Sequence, residues 1–592
     1  MTTEMTGGEL IARMLKAEGV DTVFGIVDGS YLQLCAALRG HDVRMVSPRH
    51  ESSGAHMAGA YARLTGKLGV VIASNGPGVA NLLPGIAVEH TEGNRVLVVT
   101  SCRRTGIHYP NRGGTYQAFD QVGVIRNMAK WSEAVPSAER LPELMRRALA
   151  QCWQGRPGVV HLDVPEDVIN GKRDTPLPWA PHQYRRMDPL SPDPEAVKRA
   201  ARLLMDARLP LLHAGGGVIH AQAFEELEAV AARLHAPVTT SWSARGALPE
   251  SAPLCWPMVL IKSNDEVRNA ADVVLCLGSR MGETDWWGKA PHWASPADQK
   301  LIQVDVDAEV LGRTRPVDLA VQADVKVFLR QLALELDVLK ASATDDRRAS
   351  ARLAARREEV AKLAQARDKE RARLDEKLAD TSAPMLTAHV GAAAQKALPA
   401  DAVFVYDGGN TSVWGQFFTT LRTPNTALAT HHMGHLGAGV GQALGAAVAR
   451  PGKAVCCIIG DGAFGMHPQE IETAVRHGLK VVFLVVTDGQ WGMVKMTQSM
   501  AFAPVTMMLK KRLAPEATIN SDFREVSYDR LAMTLGAHGE RVADPAELPA
   551  ALERALKAER CAVIHVDVDP AKHLWAPGLL HFKEMHQEPK GR

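Results

Sequence analysis

Short apolar runs rich in β-branched residues recur along the whole chain, each followed by a longer amphipathic stretch. In the first third they read VDTVFGIV, KLGVVIAS, NRVLVVTS and PGVVHLDVP. LPLLHAGGG, ADVVLCLGS and KLIQVDVD follow in the middle, and DAVFVYDGG, AVCCIIGDG, LKVVFLVVTDG and CAVIHVDVD near the end. Continuously apolar runs suit strands buried on both faces, which is the state of a parallel sheet covered by helices. Strand–helix alternation throughout predicts an α/β protein built from doubly wound parallel sheets. At 592 residues the chain exceeds what one core organises, so several domains are expected. Two composition shifts mark the joints. Residues 170–195 are dense in Pro and charge. Residues 340–384 are dense in Ala, Arg, Lys and Glu with interleaved signs, which predicts a solvated helical connector rather than a nucleic-acid-binding helix. Three α/β domains follow, at 1–175, 195–338 and 385–570, with a tail at 571–592.

Charge and cysteine usage narrow the classes. Lys plus Arg total 68 against 66 Asp plus Glu, a net of +2, which disfavours a nucleic-acid partner. Aromatic residues are 5% of the chain, too few for a stacking platform along single strands. The 8 cysteines form no CxxC pair, so neither a disulfide framework nor a zinc site is expected. The start MTTEMTGGEL lacks the pattern of a signal peptide, and no apolar run approaches the roughly 18 residues of a membrane span. A cytoplasmic protein without a membrane partner is the expectation.

The strongest local signal is 454–494, AVCCIIGDGAFGMHPQEIETAVRHGLKVVFLVVTDGQWGMV. An apolar strand runs into Gly460-Asp461-Gly462-Ala463 and a helix, and the next apolar strand ends at Thr487-Asp488-Gly489. Small residues at a helix start let backbone amides approach an anion. Two carboxylates at neighbouring strand ends, beside a phosphate, suit Mg²⁺. By itself a strand–GDG turn is a common and weak signal.

This arrangement resembles the metal and diphosphate motif of thiamine-diphosphate (ThDP) enzymes, in which a GDG is followed on the next strand by an Asn pair. Here the pair reads Thr487-Asp488, so an extra negative charge stands at the metal. Further segments resemble the acetolactate-synthase branch of that family: 45–66 (with RHESSGAHMAGAYARLTG), 70–83 (VVIASNGPGVANLL), 302–330, 434–447 (GHLGAGVGQALGAA) and 490–494 (QWGMV). The similarity is colinear over nearly the whole chain, apart from the charged connector and the extreme tail.

The resemblance implies roles. Glu51 matches the glutamate that hydrogen-bonds the aminopyrimidine N1′ and so promotes formation of the nucleophilic C2 ylid. Gly434 matches the backbone acceptor of the 4′-amino group, and Leu436 the apolar wedge that bends the cofactor. Asn75, Pro77 and Asn81 fall in the pyrimidine-binding segment. Asn410, Thr411 and Ser412 form the first diphosphate-binding turn, and Gly460, Gly462 and Ala463 the second. Mg²⁺ would take Asp461, Asp488 and the carbonyl of Gln490. Trp491, Gly492 and Met493 would wall the substrate pocket, with Gln117 reaching in from a neighbouring subunit. Asp28, in GIVDGS, stands near the thiazolium where synthases usually carry Gly. It would repel a substrate carboxylate unless it is protonated, relays a proton, or is turned away and capped by a backbone amide. Thr497 occupies the place of a Trp that selects the second 2-oxoacid in acetolactate synthases, which disfavours branched-chain amino-acid synthesis.

In the middle domain, glycine-rich turns and acids after strands suit a nucleotide. Gly215, Gly216 and Gly217 would approach phosphate, Arg280 would pair with it, and Asp305, Asp307 and Asp324 are candidates for ribose hydroxyls. The resemblance allows FAD, ADP or CoA in that domain, or no ligand at all. It also implies a homodimer or homotetramer, with the Glu of one subunit facing the diphosphate site of its partner. The expected activity is a ThDP- and Mg²⁺-dependent lyase or carboligase acting on a 2-oxoacid or related carbonyl donor through an acyl-carbanion/enamine. A 2-hydroxyacyl-CoA lyase or oxalyl-CoA-decarboxylase type and a 2-oxoacid decarboxylase are alternatives. An inactive nucleotide-binding scaffold is a further one, opposed by the presence of Glu51, Asp461 and Leu436. The tail 571–592 reads as a lid or a docked surface segment.

Overall fold

A computed structural model describes residues 2–108, 112–342, 347–510 and 514–585. Three six-stranded sheets, every pairing in them parallel, organise the chain. The first lies in space as Arg44–Val46, Thr22–Gly25, Gly69–Ala73, Val96–Cys102, Val159–Pro165 and Trp131–Ala134. The third runs Ala427–Leu428, Val403–Asp407, Val455–Gly460, Val482–Thr487, Ala562–Asp567 and His538–Val542. Numbered from their own first strands, both follow the order 2-1-3-4-6-5. The second sheet runs Cys255–Trp256, Val238–Thr240, Pro210–Ala214, Val273–Leu277, Lys300–Asp305 and Leu319–Gln322, the order 3-2-1-4-5-6. Its strand order therefore reverses between Pro210–Ala214 and Val273–Leu277, and a crevice opens at such a reversal. The central strands are buried along their whole length, as their apolar composition requires. A two-stranded antiparallel ribbon pairs Thr2–Thr6 with Lys172–Pro176 and closes the first unit.

One core joins the first and third sheets, from Phe24 and Val71 through Val440 to Ile459 and Phe483. Its seam is the crossing of helices Glu51–Thr65 and Ala438–Ala449. A Cβ on Gly445 would lie 2.4 Å from the Met57 carbonyl, and one on Gly441 2.8 Å from the His56 Cβ. The small residues of GVGQALGAA are thus what lets two helices meet backbone to backbone.

The charged connector is one helix, Arg347–Asp375, and it is not simply solvated. Arg356 is buried and donates to the carbonyls of Leu204, Ala207, Arg208 and Leu234, where two helices of the second unit end. A guanidinium there satisfies carbonyls that the helices leave over. Arg367 stacks on Trp256, and Glu370 accepts the amides of Lys262 and Ser263 at the start of helix Ile261–Ala270. Arg371 donates to the Phe417 carbonyl of the third unit. Arg356, Arg367, Glu370 and Arg371 thus fasten the second unit to the third, while most of the helix stays exposed. Among the described residues no helix is long and apolar enough to cross a membrane, and all eight cysteines are free.

Candidate active site

The carboxyl ends of strands Val403–Asp407, Val455–Gly460 and Val482–Thr487 bring one group together. Asp461 opens a short helix, with Oδ1 accepting the Gly462 amide (2.8 Å) and Oδ2 the Gly489 amide (2.9 Å). Asp488 accepts from the Gln490 side-chain amide (3.0 Å), which also donates to the Pro570 carbonyl. Burial raises the pKa of both carboxyls, and for Asp461 the neighbouring Asp488 raises it further. Asn410, at the start of helix Gly409–Phe417, is buried with both side-chain heteroatoms unpartnered among the described residues, as is Oε1 of Gln490. Thr411 is buried beside it, whereas Ser412 is half-buried and accepts Gln416 Nε2. Two repelling carboxylates among orphaned amide groups are a set that a divalent cation and a diphosphate would satisfy. Gly460 and Gly462 are held small: a Cβ on Gly460 would meet Thr411, and one on Gly462 would lie 2.6 Å from the Trp491 ring. Met493 packs on Gly409 and Trp491 stands edge-on to Phe523, so both wall the same end of the sheet.

Sequence reasoning passed over Asp407, which ties this group to the wedge loop. Its Oδ2 accepts the amides of Gly437 (2.9 Å) and Gly439 (2.8 Å), and burial pushes its pKa up to about 6. Leu436 sits directly before those amides, packed against the common core, and Gly434 adopts a positive φ of 61°. The signal was present as the Asp of DGGN at a strand end. His573 was also missed. This buried residue of the tail lies behind Thr411 and Asp488, with Nε2 3.4 Å from Thr411 Oγ1.

The second group lies at the carboxyl ends of the first sheet. Glu51 begins helix Glu51–Thr65, and its Oε2 accepts Asn81 Nδ2 (3.1 Å). Asp28 caps a 3-10 turn, its Oδ1 accepting both the amide (2.9 Å) and hydroxyl (2.6 Å) of Ser30. The backbone amide of Ser30 thus caps the Asp28 carboxylate. Ser30 Oγ meets Ser101 Oγ, which accepts the Asn75 amide, and Asn75 Nδ2 donates to the Gln117 carbonyl. Gly76, at φ 65°, has no room for a Cβ against Gln117, and Pro77 starts the following helix. Gln117 is exposed and contributes its backbone here rather than its side chain. Glu51 and the Asp461–Asp488 pair remain separate groups: among the described residues no hydrogen bond or ion pair joins them. Val27, Tyr116, Met433 and Met466 are exposed apolar residues, and Met433 lines a cavity of the second unit.

In the second unit a cavity of about 600 Å³ occupies the reversal crevice. Gly216, Gly217, Arg280 and Asp305 line it, joined by Arg156 from the first unit and His431–Gly434 from the third. Burial raises the pKa of Asp305 to about 6. Other expectations for this unit change. The Gly215 and Gly217 amides already donate to the carbonyls of Leu277 and Gly278, and a Cβ on Gly215 would lie 2.3 Å from the Gly278 oxygen. These two glycines allow close strand–helix approach, and their own amides are already paired. Asp324 accepts the amides of Lys326 and Val327 as the cap of helix Val325–Ser342, and Asp307 caps a 3-10 turn; neither lines the cavity. The tail helix Leu579–Met585 rests near this unit, His581 against Trp286. Most of the tail's basic end lies outside the described residues.

Family models match all three units: the N-terminal TPP binding domain of thiamine pyrophosphate enzymes over 5–124, their central domain over 197–332 and their C-terminal TPP binding domain over 407–566. The chain is 29% identical to the acetolactate synthase isozyme 2 large subunit of Escherichia coli K12, over 96% of this chain and 97% of that one. It is 30% identical to a sulfoacetaldehyde acetyltransferase of Castellaniella defragrans, over 94% and 91%. It is also 33% identical to the "Probable 2-ketoarginine decarboxylase" of Pseudomonas aeruginosa, over 79% of each chain. The chain belongs to the thiamine pyrophosphate enzymes, in their acetolactate-synthase-like branch. It is therefore an enzyme whose cofactor is thiamine diphosphate, and making or breaking a C–C bond fits it.

Proposed function

We propose that the protein is a ThDP- and Mg²⁺-dependent lyase or carboligase acting on a 2-oxoacid or a related carbonyl donor. The observation that carries this reading is the pair Asp461 and Asp488, repelling each other among unpartnered amide groups at adjacent strand ends. These two carboxylates and the Gln490 carbonyl would hold Mg²⁺, with Asn410, Thr411, Ser412 and the Gly460–Ala463 turn around the diphosphate. Thiamine diphosphate supplies an electron sink for bonding changes beside a carbonyl carbon. Glu51, oriented by Asn81 on Oε2, keeps Oε1 to hold or take a proton. Leu436 and the backbone of Gly434 would shape and orient the pyrimidine, with Asn75, Pro77 and Asn81 on its other side. Asp28 accepts two hydrogen bonds from Ser30, which lessens the repulsion that an anionic 2-oxoacid would meet there. Trp491, Gly492 and Met493 would wall the donor's acyl group, with Gln117 beside it.

The separation of Glu51 from the metal pair supports a homodimer or larger assembly that joins Glu51 of one chain to Asp461 of the next. The second-unit cavity would take a phosphate-bearing nucleotide, ADP, CoA or FAD, with Arg156 and Arg280 on its phosphates and Asp305 on a ribose.

The test is CO₂ release from pyruvate and from longer 2-oxoacids by protein loaded with ThDP and Mg²⁺, beside Glu51→Gln. Turnover lost by ~10²-fold or more in the variant, at unchanged cofactor affinity, is expected. Near wild-type turnover refutes the role of Glu51, and turnover confined to acyl-CoA substrates refutes the donor class.

A further inference from the structure

Gly434, whose carbonyl would accept the 4′-amino group of the cofactor, sits in an exposed turn and not in a regular element. A Cβ on it would meet nothing within 4 Å, so open space adjoins it where a pyrimidine could lie. The turn is closed from within by the Gly434 amide, which donates to the Thr430 carbonyl (2.8 Å). Its apex is held from another unit. Glu92, the last residue of helix Pro77–Glu92, accepts the amides of His432 (2.8 Å) and Met433 (3.2 Å) on Oε1. Its Oε2 lies 3.1 Å from His432 Nδ1. A buried carboxylate at the carboxyl end of a helix opposes the helix dipole, and the two turn amides offset what that position costs. The helix end is itself fixed: Gly93 caps it at φ 75°, and Arg156 donates to the Thr91 carbonyl (3.0 Å). Each of the three peptide planes that precede the Gly434 carbonyl is therefore held by a hydrogen bond, two of them to Glu92. A glycine rotates freely enough that its carbonyl would otherwise have no set direction.

We propose that Glu92 is a positioning residue for the cofactor: by holding the amides of His432 and Met433 it fixes the direction in which the Gly434 carbonyl meets the 4′-amino group. The proposal rests on the reading of Gly434 as that acceptor. It gives the far end of helix Pro77–Glu92 a part in the pyrimidine site, to which the near end already contributes Asn81.

The experiment titrates ThDP, and separately the analogue lacking the 4′-amino group, into the full-length protein with Mg²⁺ present, read by calorimetry, with melting curves to verify folding. Wild type should prefer ThDP by ~10-fold, the scale of one hydrogen bond to an acceptor otherwise left unpaired. Glu92→Met keeps the length of the side chain and removes both acceptor oxygens. In it the preference should fall below ~2-fold, with affinity for the analogue changed by less than ~3-fold. Glu92→Gln, which keeps an acceptor for the two amides, should retain a preference of ~5-fold or more. An equal loss of both affinities in Glu92→Met means that Glu92 only supports the fold, and an undiminished preference means that the turn holds itself; either overturns the proposal. Should Glu92→Met fail to fold, Glu92→Asp, which keeps the charge but stops one methylene short of the amides, decides by the same criterion. Wild-type protein that binds ThDP and the analogue equally removes the reading of Gly434 itself, a result distinct from a wild-type preference that survives the loss of Glu92.

Discussion

Glu89 and His56 form a fully buried pair, Oε1 to Nδ1 at 2.8 Å, between the helix that begins at Glu51 and the helix that begins at Pro77. Asn94 donates to the other oxygen of Glu89 (2.6 Å). Burial raises the Glu89 pKa from 4.5 to about 8 and lowers that of His56 from 6.5 to about 3. The folded pair therefore keeps one proton, on Glu89, donated to the imidazole. In the unfolded chain each group titrates near its ordinary value. A raised carboxyl pKa means that the folded state binds the proton more tightly, so its stabilising effect is lost as pH rises toward 8. The lowered imidazole pKa acts oppositely, losing stability as pH falls below 6.5, so the two effects oppose each other between 4.5 and 6.5. Above 6.5 only Glu89 remains, at about 1.4 kcal/mol per pH unit. Glu89→Gln keeps a donor toward His56 and an acceptor for Asn94 but cannot ionise. The difference in unfolding free energy between wild type and variant should therefore shift by about 2 kcal/mol between pH 6.5 and 8, wild type losing ground. Urea unfolding at intervals across that range measures it. Parallel curves would refute a proton held on Glu89.

Arg356→Met should lower stability by about 3 kcal/mol in urea unfolding, because buried carbonyls at two helix ends lose a charged donor. Gly462→Ala places a Cβ 2.6 Å from the Trp491 ring and should weaken ThDP binding by ~10-fold or more through displacement of that wall, measured by equilibrium titration. Asp324→Ala should cost about 1 kcal/mol of stability as a lost cap while leaving nucleotide affinity unchanged, whereas Arg280→Ala should reduce that affinity in a binding assay.

Much of the site was legible because its chemistry is carried by short contiguous stretches. A strand that ends in GDG and a second that ends in TDG can only present their acids at adjacent strand ends, since parallel strands share a direction. RHESS pointed to Glu51 through the family resemblance, and the structure sets that residue at a helix start, after an extended His50. Reading was weaker where a residue's partners are remote in the chain. Asp324 and Asp305 look alike as acids after strands, yet one meets amides of the next helix and the other a cavity wall. Gly215 and Gly217 read as phosphate-facing, but their amides were claimed by a neighbouring strand end.

The sequence alone determined the secondary-structure alternation, the parallel sheets and the residues at the ends of their strands, because those follow from local patterning and from the one direction that parallel strands share. Tertiary structure alone decided which charges are spent on folding. Arg356 became a helix cap and His573 a neighbour of Asp488 through contacts with residues far away in the chain. The physical reason is that a buried polar group must find a partner wherever the packed elements leave one, and packing between elements is not written in any single stretch of chain.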